Sequence, residues 1–172
     1  MSDNHKLAGL LEPLRVALRL EAEGKKLFAD AAMRVQSKSA RQTFEFLAAE
    51  EDKHILRITE FYRSLEDSGG ERIPETEASD AERRLVAFND NLVQWRDEIK
   101  PTMGDLEAYN TALKFENGTE DFYAKQVEES DDPNIKKFYT WLIHEEAMHA
   151  RVLKSCVQFV EDPATWFKNR RR

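Results

Sequence analysis

The sequence predicts an all-α fold, a four-helix bundle built from two antiparallel helical hairpins joined by one long crossover. Three observations predict it. Apolar residues recur at helical spacing in four long segments, and no sustained alternation marks a strand. Only six glycines and five prolines interrupt 172 residues, so the elements should be long. Two of the three connections are short enough to demand antiparallel neighbours, and the third is long.

The first helix is expected over Leu10–Val35, with Leu14, Leu18, Phe28, Ala32 and Val35 on its apolar stripe and Pro13 in its first turn. The second is expected over Ser39–Leu65, where Phe44, Leu47, Ile58 and Phe61 share a face. The third starts after Pro101, with Asp105 as its cap and Leu106, Tyr109, Leu113, Tyr123 and Val127 as its stripe. The fourth opens with Asp132-Pro133, a capping residue followed by proline at the first helical position. Ile135, Phe138, Leu142, Leu153, Cys156 and Val160 line it, and Pro163 is expected to end it. Turns at Gln36–Ser39 and Ser130–Asp132 close the hairpins. Between them runs the crossover, Glu66–Gly104, in which Leu85, Phe88, Leu92, Trp95 and Ile99 predict a short extra helix packed on the bundle. One long crossover is the connection of ferritin-like bundles.

Composition narrows the function. The chain is long enough for one domain, residues 1–172, with its own core. Its net charge of -7 argues against nucleic acid as a partner, and the basic residues of Lys168–Arg172 read as a solvated tail. A single cysteine, Cys156, excludes disulfide frameworks and CxxC metal knuckles. No apolar run approaches the roughly 20 residues of a membrane helix. Ser2–Lys6 lack the apolar core of a signal peptide, so the cytoplasm is the expected location.

The halves of the chain match at a constant offset of 95 residues. Ala17-Leu18 pairs with Ala112-Leu113, Phe28 with Tyr123, Phe44 with Tyr139 and Leu47 with Leu142. Glu21 pairs with Glu116, Glu50-Glu51 with Glu145-Glu146, and His54 with His149. Each half therefore carries a lone glutamate on its first helix and Glu-x-x-His on its second. Residues three apart share a helix face, so each Glu-His pair can grip a metal. Glu21, Glu51, His54, Glu116, Glu146 and His149 all interrupt apolar stripes, which puts them in core positions. Isolated buried carboxylates are costly, and no stripe of basic residues pairs four of them; Lys25 could serve one. Depth agrees: the midpoint of Glu21 and Glu51 falls at Gln36, and that of Glu116 and Glu146 at Asp131, both in turns. Four carboxylates balance two divalent ions. Carboxylate and imidazole suit iron or manganese, and the lack of thiolate argues against structural zinc.

The segments Ala17–Ala29, Glu50–Leu56, Ala112–Ala124 and Glu145–Leu153 resemble the erythrin domain of the rubrerythrin family, in the ferritin-like superfamily. The resemblance implies a di-iron centre that reacts with peroxide or dioxygen in a homodimer or larger assembly. It carries over as metal ligands Glu21, Glu51, His54, Glu116, Glu146 and His149, with no catalytic residue beyond them. Three departures stand out. The four-cysteine rubredoxin domain of rubrerythrins proper has no counterpart, so electrons must come from an external donor such as a rubredoxin or reductase. The family's additional third-helix glutamate is replaced by Thr119, with Glu120 one residue further on. The aromatic facing the site is Tyr123 in one half and Phe28 in the other. His144 lies on another face, Glu50 and Glu145 lie about 100° from the ligand stripe, and Trp95, Trp141 and Trp166 read as packing residues.

The expected function is a di-iron oxidoreductase, a peroxidase that reduces hydrogen peroxide. A ferroxidase that passes iron on for storage, a non-catalytic helical interaction module and a manganese catalase-like enzyme are the alternatives. Iron turnover beyond two per chain separates the ferroxidase, and indifference to loss of Glu51 or His149 separates the interaction module.

Overall fold

The computed structural model describes residues 2–94 and 102–170. Six helices and no strand occur among the described residues: α1 Ser2–Arg34, α2 Lys38–Asp67, α3 Ala81–Gln94, α4 Met103–Glu129, α5 Pro133–Glu161 and α6 Pro163–Arg170. α1 packs on α2 and α4 on α5, so the two hairpins are as expected, and the crossover carries its extra helix, α3, against α5. The fold is an all-α ferritin-like bundle.

Local chemistry explains most helix ends. Ser37 caps α2 by accepting from the Ala40 amide at 3.2 Å. The chain leaves α2 through Gly69 and Gly70, whose φ of 62° and 82° favour glycine. Asp132 caps α5 through the Asn134 and Ile135 amides, with Pro133 at the first helical position.

Four expectations need correction. α1 begins at Ser2 instead of Leu10, because Leu7, Leu10 and Leu11 pack onto the apolar cluster around Leu65. Pro13 therefore sits inside the helix, where it removes the bond to the Gly9 carbonyl; Gly9 is exposed, so water can replace that donor. The cap of α4 is Thr102, with Asp105 at the third helical position. Thr102 Oγ1 accepts from the Asp105 amide at 3.2 Å, and the Asp105 carboxylate accepts from the Thr102 amide at 2.9 Å and the Gln36 amide at 3.2 Å. One buried aspartate thus ties the first hairpin turn to the start of α4. Pro163 ends α5 but also opens α6, which Asp162 caps through the Thr165 amide at 3.0 Å. Trp166 anchors α6 by donating to Ser155 Oγ at 3.1 Å, which fits its reading as a packing residue. Lys168, assigned to a solvated tail, is exposed but helical; Arg171 and Arg172 lie outside the described residues. Trp95 and Ile99 of the crossover also lie outside them, whereas Leu85 and Phe88 are buried as expected.

The core divides into two clusters. One contains Phe28, Phe44, Tyr109, Val152 and Leu153 and extends to Leu85 and Phe88 of α3. The other contains Leu14, Ile58, Phe61, Tyr123, Phe138 and Leu142, with Phe61 and Phe138 stacked at 3.8 Å between ring centroids. Along α1, α2, α4 and α5 the buried acids and imidazoles fall between these clusters, as a polar layer across a dry bundle.

Candidate metal centre

Six polar residues form that layer, and helix periodicity places them. Glu21 follows Ala17 by one turn on α1, and Glu116 follows Ala112 by one turn on α4. Glu51 and His54 share a face of α2, as do Glu146 and His149 on α5. None of the six is more than 1% exposed. All six residues singled out from the sequence are therefore brought together.

The two imidazoles stack with centroids 5.0 Å apart and rings 18° from parallel. Both point Nδ1 at the carboxylates. His54 Nδ1 lies 3.0 Å from Glu21, 3.3 Å from Glu146 and 3.5 Å from Glu51. His149 Nδ1 lies 3.2 Å from Glu116, 3.2 Å from Glu51 and 3.7 Å from Glu146. The roles of the glutamates follow. Glu51 and Glu146 each present one oxygen to each histidine, whereas Glu21 serves only His54 and Glu116 only His149. The arrangement has the two-fold symmetry of the sequence repeat, with two shared carboxylates in the middle and one private carboxylate at each end.

Burial and close packing shift the groups of the cluster in opposite directions. Burial pushes the Glu21 carboxyl well above its ordinary range, helped by the charges of Glu146 and Glu51. Burial and Glu146 do the same to Glu116. For Glu51, burial and the charge of Glu146 are outweighed by hydrogen bonds from Glu21, His149 and His54, which bring it down to about 2. Glu146 is held low despite burial by bonds from Glu116, His149 and His54. Burial opposes charge on the imidazoles, but Glu21 at His54 and Glu116 at His149 raise both. Burial and the neighbouring charges thus favour the acid form of the outer glutamates Glu21 and Glu116, whereas bonds from the imidazoles favour the ionised form of Glu51 and Glu146.

The donor set fits a metal. Oxygen and nitrogen atoms from Glu51, His54, Glu146 and His149 lie within 4.8 Å of one another. Among the described residues, Glu51 Oε1, Glu116 Oε2 and Glu146 Oε1 are buried without a hydrogen bond, although buried oxygens normally find a donor. Buried carboxylate oxygens gathered beside imidazole nitrogens and short of donors are what a cation satisfies.

The surroundings differ between the halves. Tyr123 donates its hydroxyl to Glu21 Oε1, so this aromatic is bound into the polar layer, whereas Phe28 packs in the apolar cluster, against Phe44 and Phe115. A Tyr123→Phe chain is expected to lose about 1–3 kcal/mol in denaturant unfolding of the metal-free protein, since Glu21 Oε1 would be left without its donor. Thr119 is buried but turns its hydroxyl to the Phe115 carbonyl at 3.2 Å, and Glu120 is half-buried outside the cluster. Lys25 pairs with Asp52 at 2.6 Å and serves none of the site carboxylates. His144 is exposed.

Glu50 and Glu145, about 100° from the ligand stripe, are 2% and 1% exposed, so they lie behind the site and not on the surface. The residue that pairs with them, Arg84 of α3, carries no sequence signal beyond its place in the crossover helix. Its guanidinium contacts both carboxylates. Trp141, read as a packing residue, is half-buried with its edge on the His54 ring, centroids 5.8 Å apart.

Among the described residues, no helix is long and apolar enough to cross a membrane. No curated protein and no solved structure gives a significant match to the chain. The family model for rubrerythrin matches residues 12–157, which takes in the two hairpins, the crossover and all six clustered residues. The chain belongs to the rubrerythrin family.

Proposed function

We propose that this chain is a di-iron oxidoreductase that reduces hydrogen peroxide to water with electrons from a separate donor, such as a rubredoxin or a reductase. The observation that carries the reading is the pair of shared carboxylates, Glu51 and Glu146, each facing both imidazoles, flanked by one private glutamate per imidazole. That set offers two equivalent positions, each with one nitrogen, one private carboxylate and a share in two more. Four carboxylates offset two divalent ions. When bound, a pair of ferrous ions supplies two electrons at adjacent positions, the number needed to break the O–O bond of one peroxide.

The chain's own residues do the rest. His54 and His149 present Nδ1, and the bundle fixes their rings. Glu21 and Glu116, whose acid form burial favours, would bind cations in competition with protons. Tyr123 orients Glu21 through its hydroxyl. The apolar clusters on either side exclude bulk water and keep the layer's electrostatics strong. Membership of the rubrerythrin family and the all-oxygen-and-nitrogen donor set support iron over zinc.

Mixing anaerobic ferrous protein with peroxide or with dioxygen, and following the ferric absorption, tests the reaction. Peroxide is expected to oxidise the site at least about tenfold faster than dioxygen, an effect of about 1.4 kcal/mol on the barrier. Oxidation by peroxide no faster than that of free ferrous ion contradicts the proposal. Faster reaction with dioxygen, with more than two irons turned over per chain, points to a ferroxidase.

A further inference from the structure

We propose that Arg84, from the crossover helix α3, is a positioning residue for the metal centre and makes its two metal positions unequal. The inference rests on the metal reading above. Its starting point is a break in the two-fold symmetry of the site.

Glu50 and Glu145 are equivalent in the sequence repeat, and both point away from the ligand stripe toward α3. Arg84 bridges them with two different nitrogens. Asp80, the residue just before α3, accepts from Arg84 Nε at 2.6 Å and fixes the guanidinium. Ser79 adds a hydroxyl donor to the other oxygen of Glu145. Glu145 is therefore clamped, and its Oε2 lies 3.4 Å from His54 Nε2. His54 thus has its Nδ1 among the ligand carboxylates and its other nitrogen on a fixed acceptor. His149 has no such support: its Nε2 is buried and has no hydrogen-bond partner among the described residues. Glu50, the equivalent of Glu145, instead engages Arg84 and Lys53.

A carboxylate on the distal nitrogen of a metal-binding histidine fixes its tautomer and ring orientation and raises its basicity. The His54 position should therefore hold its ion more tightly than the His149 position. A crossover helix that looks like a mere connection thereby enters the chemistry of the site. Among the described residues, an unbroken link runs from Arg84 through Glu145 to His54.

Cobalt(II), titrated into metal-free protein and read by its visible d–d absorption, tests this without turnover. The parent protein is expected to bind two ions in two steps, the tighter one assigned to His54 by its loss in His54→Ala. In Arg84→Gln the tight step should weaken about 10–100-fold with the weak step unchanged. Arg84→Lys should recover part of the loss. Adding Arg84→Gln to His54→Ala should produce no further weakening. Should Arg84 variants fail to fold, Glu145→Gln removes the charged acceptor while leaving Arg84 paired with Glu50, and should weaken the same step. Two equal steps in the parent, an unchanged tight step in the variants that fold, or equal weakening of both steps overturns the inference while leaving the metal centre intact. No cobalt bound by the parent protein overturns both.

Discussion

Glu51→Ala is expected to abolish binding of both metal ions, whereas Glu21→Ala should weaken mainly one. The difference follows from geometry. Each oxygen of Glu51 faces a different imidazole, His149 at 3.2 Å and His54 at 3.5 Å, so its removal takes a ligand from both positions. Glu146 stands in the same relation and should behave alike. Glu21 and Glu116 each approach one imidazole. Metal per chain, measured after anaerobic ferrous loading and desalting, should fall from two to none in Glu51→Ala and Glu146→Ala. It should fall to about one in Glu21→Ala and Glu116→Ala, with at least a tenfold loss of affinity at the affected position. An even loss across all four variants would contradict the assignment of shared and private carboxylates. Because Glu51 and Glu146 are held low by bonds from the imidazoles, far-UV circular dichroism of each variant without metal checks that it is folded before its metal content is read.

The largest stability effect is expected at Phe138. Its ring is fully buried, stacks on Phe61 at 3.8 Å and lies 6.4 Å from Trp141, the residue whose edge meets His54. Phe138→Ala should lower unfolding free energy by about 3–5 kcal/mol, the usual cost of a buried aromatic replaced by a methyl group. For a chain of this size that corresponds to a fall in Tm of roughly 6–20 °C. Thermal unfolding of the metal-free protein measures it. Metal stoichiometry should survive at low temperature, since Phe138 touches no ligand directly. A loss below about 1 kcal/mol would mean that the end of the bundle around Leu14, Ile58 and Leu142 is packed far more loosely than the structure shows.

The hairpins were legible in the sequence because periodicity, short turns and the Asp132-Pro133 cap all point the same way. The cluster was legible because Glu21, Glu51 and His54 recur at one offset as Glu116, Glu146 and His149 and interrupt apolar stripes. Symmetric turns then put both hairpins' residues at one depth. Where a residue's role depends on another part of the chain, the signal fades. Arg84 reaches Glu145 across 61 positions, with no repeat to flag it, and its contacts with Glu50 and Glu145 depend on the docking of α3. The early start of α1 depends on Leu7 finding a surface near Gly70, which α1 alone does not announce. Asp105 illustrates a smaller ambiguity: an acid near a helix start can act from the cap or from the third position, and Thr102 three residues earlier decides it. Pro163 was read as a stop, which it is for α5; that it also starts α6 depends on Trp166 reaching Ser155.

The di-iron proposal assigns a pair of iron ions to the buried layer of four glutamates and two histidines. Mass-spectrometric metal analysis of protein purified without added metal or chelator tests it most directly. About two iron ions per chain are expected. A folded protein that holds no metal, even after anaerobic loading with ferrous ion, would contradict the proposal and leave a structural bundle with a buried polar layer.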